Sequence, residues 1–179
     1  MILVIDLEAT CEEHQSGIAD MEIIEVGACW ATPDGTVRDT FQRFVRPVQK
    51  PLLSNFCREL TRISQQDVDT AACWPEVAAE LADFASLHAV PEPIWASWGQ
   101  YDARQILRDC QQHQTPHPLA GWQHLNLKAA FAQRRGIRQT GMGTALQLVG
   151  LVLEGQHHRA LADAMNTAKL LPFSLPLPT

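Results

Sequence analysis

The sequence predicts an α/β fold: a mixed β-sheet whose first three strands are antiparallel and whose later strand is parallel, with helices on both faces. Three observations predict it. The apolar runs Ile2 to Leu7, Glu22 to Ala31 and Thr36 to Arg46 come before any helical pattern. Met1 to Ile5 is apolar at consecutive positions, as expected of a central strand covered on both sides. Beyond Pro51, helical periodicity alternates with one further short apolar run, giving the order β-β-β-α-β-α-α-α. In such sheets the functional crevice lies near strand ends, where the strand order changes.

Each element has its own signal. Thr32-Pro33-Asp34-Gly35 carries Pro and Gly where a hairpin turn needs them, so the second and third runs pair. Asp39 to Val45 alternates less cleanly, which suits an edge strand, and Pro47 and Pro51 end the region. Ser54 to Asp69 reads as one or two short helices. From Trp74 to Leu87, Val77, Ala78, Leu81, Phe84 and Ala85 recur at helical spacing. Pro91-Glu92-Pro93 breaks the chain, and Ile94 to Trp98 reads as a short buried strand. Asp102 to Gln112 returns to helix with Ile106 and Leu107 facing inward, followed by a Pro-containing loop from His113 to Gly121. Asn126 to Arg135 is a helix ended by Gly136, Thr144 to Gly150 is a shorter one, and Ala160 to Leu171 is stopped by Pro172. The domain core is thus 1–172, with a loosely packed Pro-rich tail over 173–179.

Composition narrows the class. The chain has 179 residues, enough for one domain with a sizeable core. No apolar run approaches the ~18 residues of a membrane span, and the N-terminal run lacks a basic leader, so the expected location is cytoplasmic. Five widely spaced cysteines form no C-x-x-C pair, which argues for reduced core thiols rather than a zinc knuckle or redox motif. A net charge of −6 argues against broad electrostatic binding of nucleic acid. Yet 11 of the 14 basic residues are Arg, whose fork suits phosphate oxygens. Arg58 and Arg62, and Arg104 and Arg108, would each share a helix face.

Two carboxylates, Asp6 and Glu8, close the first strand and project from the same face. Two like charges ~4 Å apart at an effective dielectric of ~20 repel by about 4 kcal/mol. A strand end open to water relieves that repulsion, and so do cations between the carboxylates. Asp102 stands where a helix begins, a position the helix dipole favours on its own. Asp163 interrupts the Ala-rich last helix, where Asp is a poor helix former. His157 and His158 precede it. Zinc is conceivable there, but neighbouring histidines on a regular helix cannot both face one ion, and no Cys lies nearby; one of the two is a candidate base.

Together, D-x-E on the first strand, S-x-G-x-x-D after the fourth and H-x-x-x-x-D at the last helix resemble the DEDDh (DnaQ-like) 3′→5′ exonucleases, which have an RNase H-like fold. Asp6-Leu7-Glu8-Ala9-Thr10-Cys11-Glu12 is similar to the D-x-E-A-T-C-E signature of the ERI-type exoribonuclease branch. Glu22 to Gly27, Leu53 to Gln65 and Leu151 to Asn166 match further segments of that branch. His158 to Ala164 is close to H-x-A-x-x-D-A, which selects His158 over His157. Two departures stand out: these 179 residues leave no room for the N-terminal nucleic-acid-binding extension expected from some relatives, and Ala162 stands where a second Asp is frequent.

The resemblance implies a chemistry. Asp6, Glu8, Asp102 and Asp163 would bind two Mg²⁺ or Mn²⁺ ions, which at a separation of about 3.5–4 Å stabilise both oxygens of an in-line displacement. His158 would be the general base, and the product a 5′-mononucleotide released from a single-stranded 3′ end. Ala9 and Thr10 would lie near the terminal ribose, with Phe56 and Tyr101 stacking bases, although ordinary core packing explains the two aromatics equally well. RNA is preferred to DNA on the branch resemblance. A DNA exonuclease of the same superfamily and an inactive nucleic-acid-binding module are the competing readings.

Overall fold

The structure, a computed structural model, describes residues 1–14 and 20–175. A five-stranded sheet runs in the order β3-β2-β1-β4-β5, built from β1 (Ile2–Ala9), β2 (Ile23–Ala31), β3 (Val37–Phe44), β4 (Ile94–Ser97) and β5 (Gln123–Asn126). β2 pairs antiparallel with both β1 and β3, whereas β1–β4 and β4–β5 are parallel. β1 is central because both its faces are apolar. Leu3, Ile5 and Leu7 enter the larger core with Trp30, Leu81 and Ile106, and Val4 enters the opposite one with Cys29, Ala164 and Ala168. β3 is an edge strand, as its broken alternation predicts.

The helices are α1 (Asn55–Thr61), α2 (Gln65–Asp69), α3 (Trp74–Ser86), α4 (Tyr101–Gln112), α5 (Leu127–Arg135), α6 (Met142–Leu148), α7 (Ala160–Ala168) and α8 (Leu171–Ser174). α3 and α4 cover one face of the sheet, and α5 and α7 the other. Ser54 caps α1, a Ser64–Asp67 capping box starts α2, and Asn126 caps α5. Gly136 ends α5 at φ 64°, a left-handed conformation that glycine adopts without strain. α1 and α2 pack Cys57, Ile63 and Val68 on Ile24 and so cover one end of the sheet. Buried Glu22 accepts the amides of Val48, Gln49 and Lys50 at 2.8–2.9 Å, tying the segment before α1 to the start of β2.

Four readings of the sequence are corrected. A fifth strand, β5, follows the Pro-containing loop and pairs with β4 from Ile94↔Gln123 to Ser97↔Asn126. Leu107 is 50% exposed, because α4 turns Ile106 and Cys110 inward instead. The last helix ends at Ala168, and Pro172 lies within the first turn of α8, where its missing N–H costs nothing. The start of the expected loose tail is therefore ordered: Leu171 and Ser174 are buried, and Ser174 Oγ donates to Leu170 O at 2.8 Å. The remainder of that tail, 176–179, lies outside the described residues. No helix among the described residues is long and apolar enough to cross a membrane. All five cysteines are free thiols.

Candidate active site

The candidate site forms at the C-terminal end of β1, where the antiparallel half of the sheet meets the parallel half. Asp6 and Glu8 share the face that carries Val4, toward α7. Asp6 stands opposite Gly27 and Glu8 opposite Glu25, and the register shifts between Glu8 and Ala9. A bulge at this point bends the strand end and re-aims the last side chains.

α7 approaches β2 closely at Gly27. A Cβ there would lie 2.1 Å from the Ala160 carbonyl carbon, so only glycine fits. The contact is fixed electrostatically. Glu25, fully buried, accepts from Arg159 Nη2 at 2.9 Å and from the Ala160 amide at 3.0 Å. Arg159 also lies over the Phe44 ring, 5.4 Å from its centroid. This lock sets Asp163, in the first turn of α7 rather than mid-helix, against the β1 carboxylates. Asp163 Oδ2 in turn accepts the His158 amide at 2.9 Å and meets His157 Nδ1 at 2.8 Å.

Asp102 arrives from another direction. It occupies the first turn of α4, is buried, and accepts the Leu7 amide at 3.1 Å. Its carboxylate thus holds the backbone of the D-x-E strand in place.

Oxygens of Asp6, Glu8 and Asp163 lie within 4.8 Å of one another. The electrostatics reflect this crowding. Burial, and then the charges of Asp102 and Glu8, raise Asp6 well above the ordinary carboxylate range. Burial, then Asp163 and Glu25, push Glu8 up to about 8. Asp102 rises to about 6 through burial, opposed by its hydrogen bonds from backbone amides and Ser97. A cation among these groups would remove the repulsion, and an all-oxygen donor set suits Mg²⁺ or Mn²⁺. The residues fit such ions.

His158 has φ 62°, a left-handed conformation. Burial, with neighbouring His157, lowers its pKa, so it is neutral near pH 7 and able to accept a proton. A crevice of about 400 Å³ collects Asp6, Glu8, Ala9, Tyr101, Asp102, His158 and Asp163 on its walls. Thr10 and Phe56 are not among those walls. The Thr10 hydroxyl accepts the Glu22 amide at 2.9 Å, and Phe56 sits on the exposed side of α1, 37% accessible. Arg58, on α1, and Arg62, its left-handed C-cap at φ 59° rather than a residue on the same helix face, line a separate cleft between α1 and the start of α2. Arg104 and Arg108 stand on α4 away from the crevice walls.

The walls also include residues to which the sequence reading gave no role: Leu60, Trp98, Met142 and His157. Leu60, Trp98 and Met142 carry no distinguishing sequence signal. His157 does carry one, its place beside His158. The regular-helix argument that set the pair aside fails because both residues precede α7 in a turn.

Comparison with known proteins agrees with this geometry. The family model described as "Exonuclease" (RNase_T) matches residues 3–171. Human 3′-5′ exoribonuclease 1 is 31% identical over 176 residues, covering 94% of this chain and 50% of that protein. The 3′-5′ exonuclease eri1 of Schizosaccharomyces pombe is 28% identical over 197 residues, covering 95% and 66%. For ERI1 exoribonuclease 2 of Xenopus laevis the values are 30% over 191 residues, with 94% and 27% covered. The chain therefore spans from about a quarter to two thirds of these relatives. Among solved structures, the nuclease domain of 3′hExo, a DEDDh family member bound to rAMP, superposes with a TM-score of 0.85 at 28% identity, covering 94% of this chain and 88% of that one. A 3′-exonuclease described in 3′-end-specific recognition of a histone mRNA stem-loop gives 0.86 at 28%, covering 96% and 63%. The shared fold is RNase H-like.

Proposed function

The chain belongs to the RNase T-type exonuclease family and to its ERI-type branch, and from that premise we propose that it is a metal-dependent 3′→5′ exonuclease acting on single-stranded ends, RNA in preference to DNA. One observation carries the reading: Asp6, Glu8 and Asp163 bring carboxylate oxygens within 4.8 Å of one another, in a crevice shared with Asp102 and His158. A solvated strand end has no need of the third and fourth acids or of a neutral imidazole. The whole of 1–179 is read as one exonuclease domain.

Asp6, Glu8, Asp102 and Asp163 would hold two divalent ions, Mg²⁺ or Mn²⁺. When bound, such ions neutralise phosphate charge and stabilise the attacking and leaving oxygens. The remaining steps belong to the chain itself. Neutral His158 takes the proton of the water that attacks the terminal phosphodiester. The Leu7 amide, held by Asp102, and the Ala160 amide at the start of α7, held by Glu25, keep the carboxylates in place before substrate arrives. Ala9 and Tyr101 line the volume next to the D-x-E strand that the 3′-terminal nucleotide would fill. Thr10 supports that wall through its bond to Glu22, and Phe56 is available to a base only outside the crevice. Cleavage then releases a 5′-mononucleotide.

End-labelled oligonucleotides test the polarity and the substrate. With Mg²⁺ or Mn²⁺, 3′-labelled single-stranded RNA should release labelled 5′-mononucleotide at once, 5′-labelled RNA should shorten as a ladder, and DNA of the same sequence should be degraded more slowly. EDTA should abolish all three. Release of the 3′ label in oligonucleotides rather than mononucleotides, or degradation that persists in EDTA, would refute the reading.

A further inference from the structure

We propose that residues 128–142 form a positively charged track that binds the sugar-phosphate backbone of single-stranded RNA upstream of the 3′ end held in the crevice. The charge of the chain is unevenly placed. Residues 110–153 contain no Asp or Glu, and Lys128, Arg134, Arg135 and Arg138 give them a net charge of +4, so the remainder of the chain carries −10. Glu154, the first acid beyond, is already paired with Lys169 at 3.0 Å. None of the four cations is ion-paired among the described residues. Guanidinium forks without a carboxylate partner suit phosphate oxygens. The Arg58–Arg62 cleft lacks this excess, because Glu59 is among its walls.

The fold joins the segment to the crevice at both ends. Lys128, in the first turn of α5, runs beside Gly99: a Cβ on that glycine would lie 4.0 Å from Lys128 Cδ. Gly99 stands in the turn between Trp98 and Tyr101, both on the crevice wall. At the other end, Gly141 and Met142 are themselves wall residues. Arg134 and Arg135 close α5, Gly136 turns the chain, and Arg138 follows. The Ile137 amide donates to Ala132 O at 3.0 Å and Trp98 Nε1 donates to Thr140 O at 3.1 Å, so the loop carrying Arg138 is held on either side. The Arg135 guanidinium lies 5.4 Å from the Phe131 ring centroid and 5.7 Å from that of Phe173. Those rings fix its position, while Arg134, Arg135 and Arg138 all stay exposed to solvent.

Such a track reconciles an acidic protein with a polyanionic substrate. The acids lie outside 110–153, and the cations meet the strand where it leaves the crevice. Contacts to phosphate position a strand without reading its sequence, and each one adds about 0.7 to the salt dependence of single-strand binding. The track rests on the exonuclease reading, but RNA binding is measured apart from cleavage.

The test uses the full chain and the fluorescence anisotropy of a labelled single-stranded RNA of about 20 nucleotides, longer than most single-strand sites, with Ca²⁺ in place of Mg²⁺. Two lost contacts in the double variant Arg134→Gln, Arg138→Gln should weaken binding by about tenfold or more at about 0.1 M salt. The slope of log affinity against log salt should become shallower by about 1.4. Arg134→Lys with Arg138→Lys keeps the charge and should restore most of both. Arg38→Gln with Arg46→Gln changes the net charge equally, away from the crevice walls, and should alter neither. In Mg²⁺, KM for the same RNA should rise in the first variant with kcat unchanged. Hydrolysis of the p-nitrophenyl ester of thymidine 5′-monophosphate, too small to reach the track, should be unaffected. Equal losses in the two Gln pairs, an unchanged salt slope, or a Lys pair as weak as the first Gln pair overturns the track. Wild-type protein that binds RNA with the expected slope yet degrades none overturns the exonuclease reading and leaves the track standing as an RNA-binding surface.

Discussion

At the residue scale, the site is a set of side chains whose ordinary behaviour has been displaced. Burial and the charges of neighbouring carboxylates raise Asp6 above the ordinary carboxylate range and push Glu8 up to about 8, while burial lowers His158. The acids were legible in the sequence because D-x-E alternation puts both on one strand face. Selecting His158 over His157 rested on the resemblance of His158 to Ala164 to H-x-A-x-x-D-A, since two adjacent histidines look alike in isolation. The contact of His157 with Asp163 was not legible, because it depends on a left-handed residue at His158 that no local signal announces. His158→Ala removes the proposed general base and should lower kcat by about 10²- to 10⁴-fold with KM for RNA little changed. Steady-state kinetics on a labelled oligoribonucleotide check the split.

At the element scale, the proposed catalysis would depend on how α7 is seated. Gly27 and Glu25 lie two residues apart on β2, one allowing contact and the other fixing it. Gly27→Ala puts a methyl 2.1 Å from the Ala160 backbone and must push α7 away. Overpacking of this kind costs about 1–3 kcal/mol, and because α7 carries Asp163, activity should fall further than stability does. Melting temperature and kcat measured together show the difference. Glu25→Gln leaves the Arg159 guanidinium half-buried beside a neutral amide and should destabilise by about 3–5 kcal/mol, read as a fall in the urea midpoint. Most elements were legible from periodicity and caps. β5 was not, since Gln123-His124-Leu125-Asn126 holds no β-branched residue and only one strongly apolar one. It is a strand because β4 offers it a parallel edge. Leu107 misled for a related reason: apolar character alone does not say which side of α4 meets the sheet.

At the scale of the whole molecule, a net charge of −6 and a crevice of carboxylates describe a protein that is electrostatically frustrated without cations. A carboxyl that holds its proton more tightly in the folded than in the unfolded chain supports the fold at low pH and withdraws that support as pH rises. For Glu8 the loss runs from its ordinary 4.5 up to about 8. In EDTA, stability should therefore decline from about pH 5 to about pH 8. Mg²⁺ or Mn²⁺ should recover it most strongly at the alkaline end, by about 2.7 kcal/mol at a hundredfold excess over the dissociation constant. Thermal melts across pH, with and without the ion, follow both trends. The mixed sheet was legible at this scale because three apolar runs precede the first helical pattern, and the crevice because its acids fall at strand and helix ends. Its apolar walls, Leu60, Trp98 and Met142, converge only through tertiary packing. The central claim, that crowded carboxylates here form a cation site for phosphodiester cleavage, is tested most directly at Asp6. Release of 5′-mononucleotides from single-stranded RNA in Mn²⁺ should fall at least about 100-fold in a folded Asp6→Ala protein. Undiminished release by that variant would contradict the account.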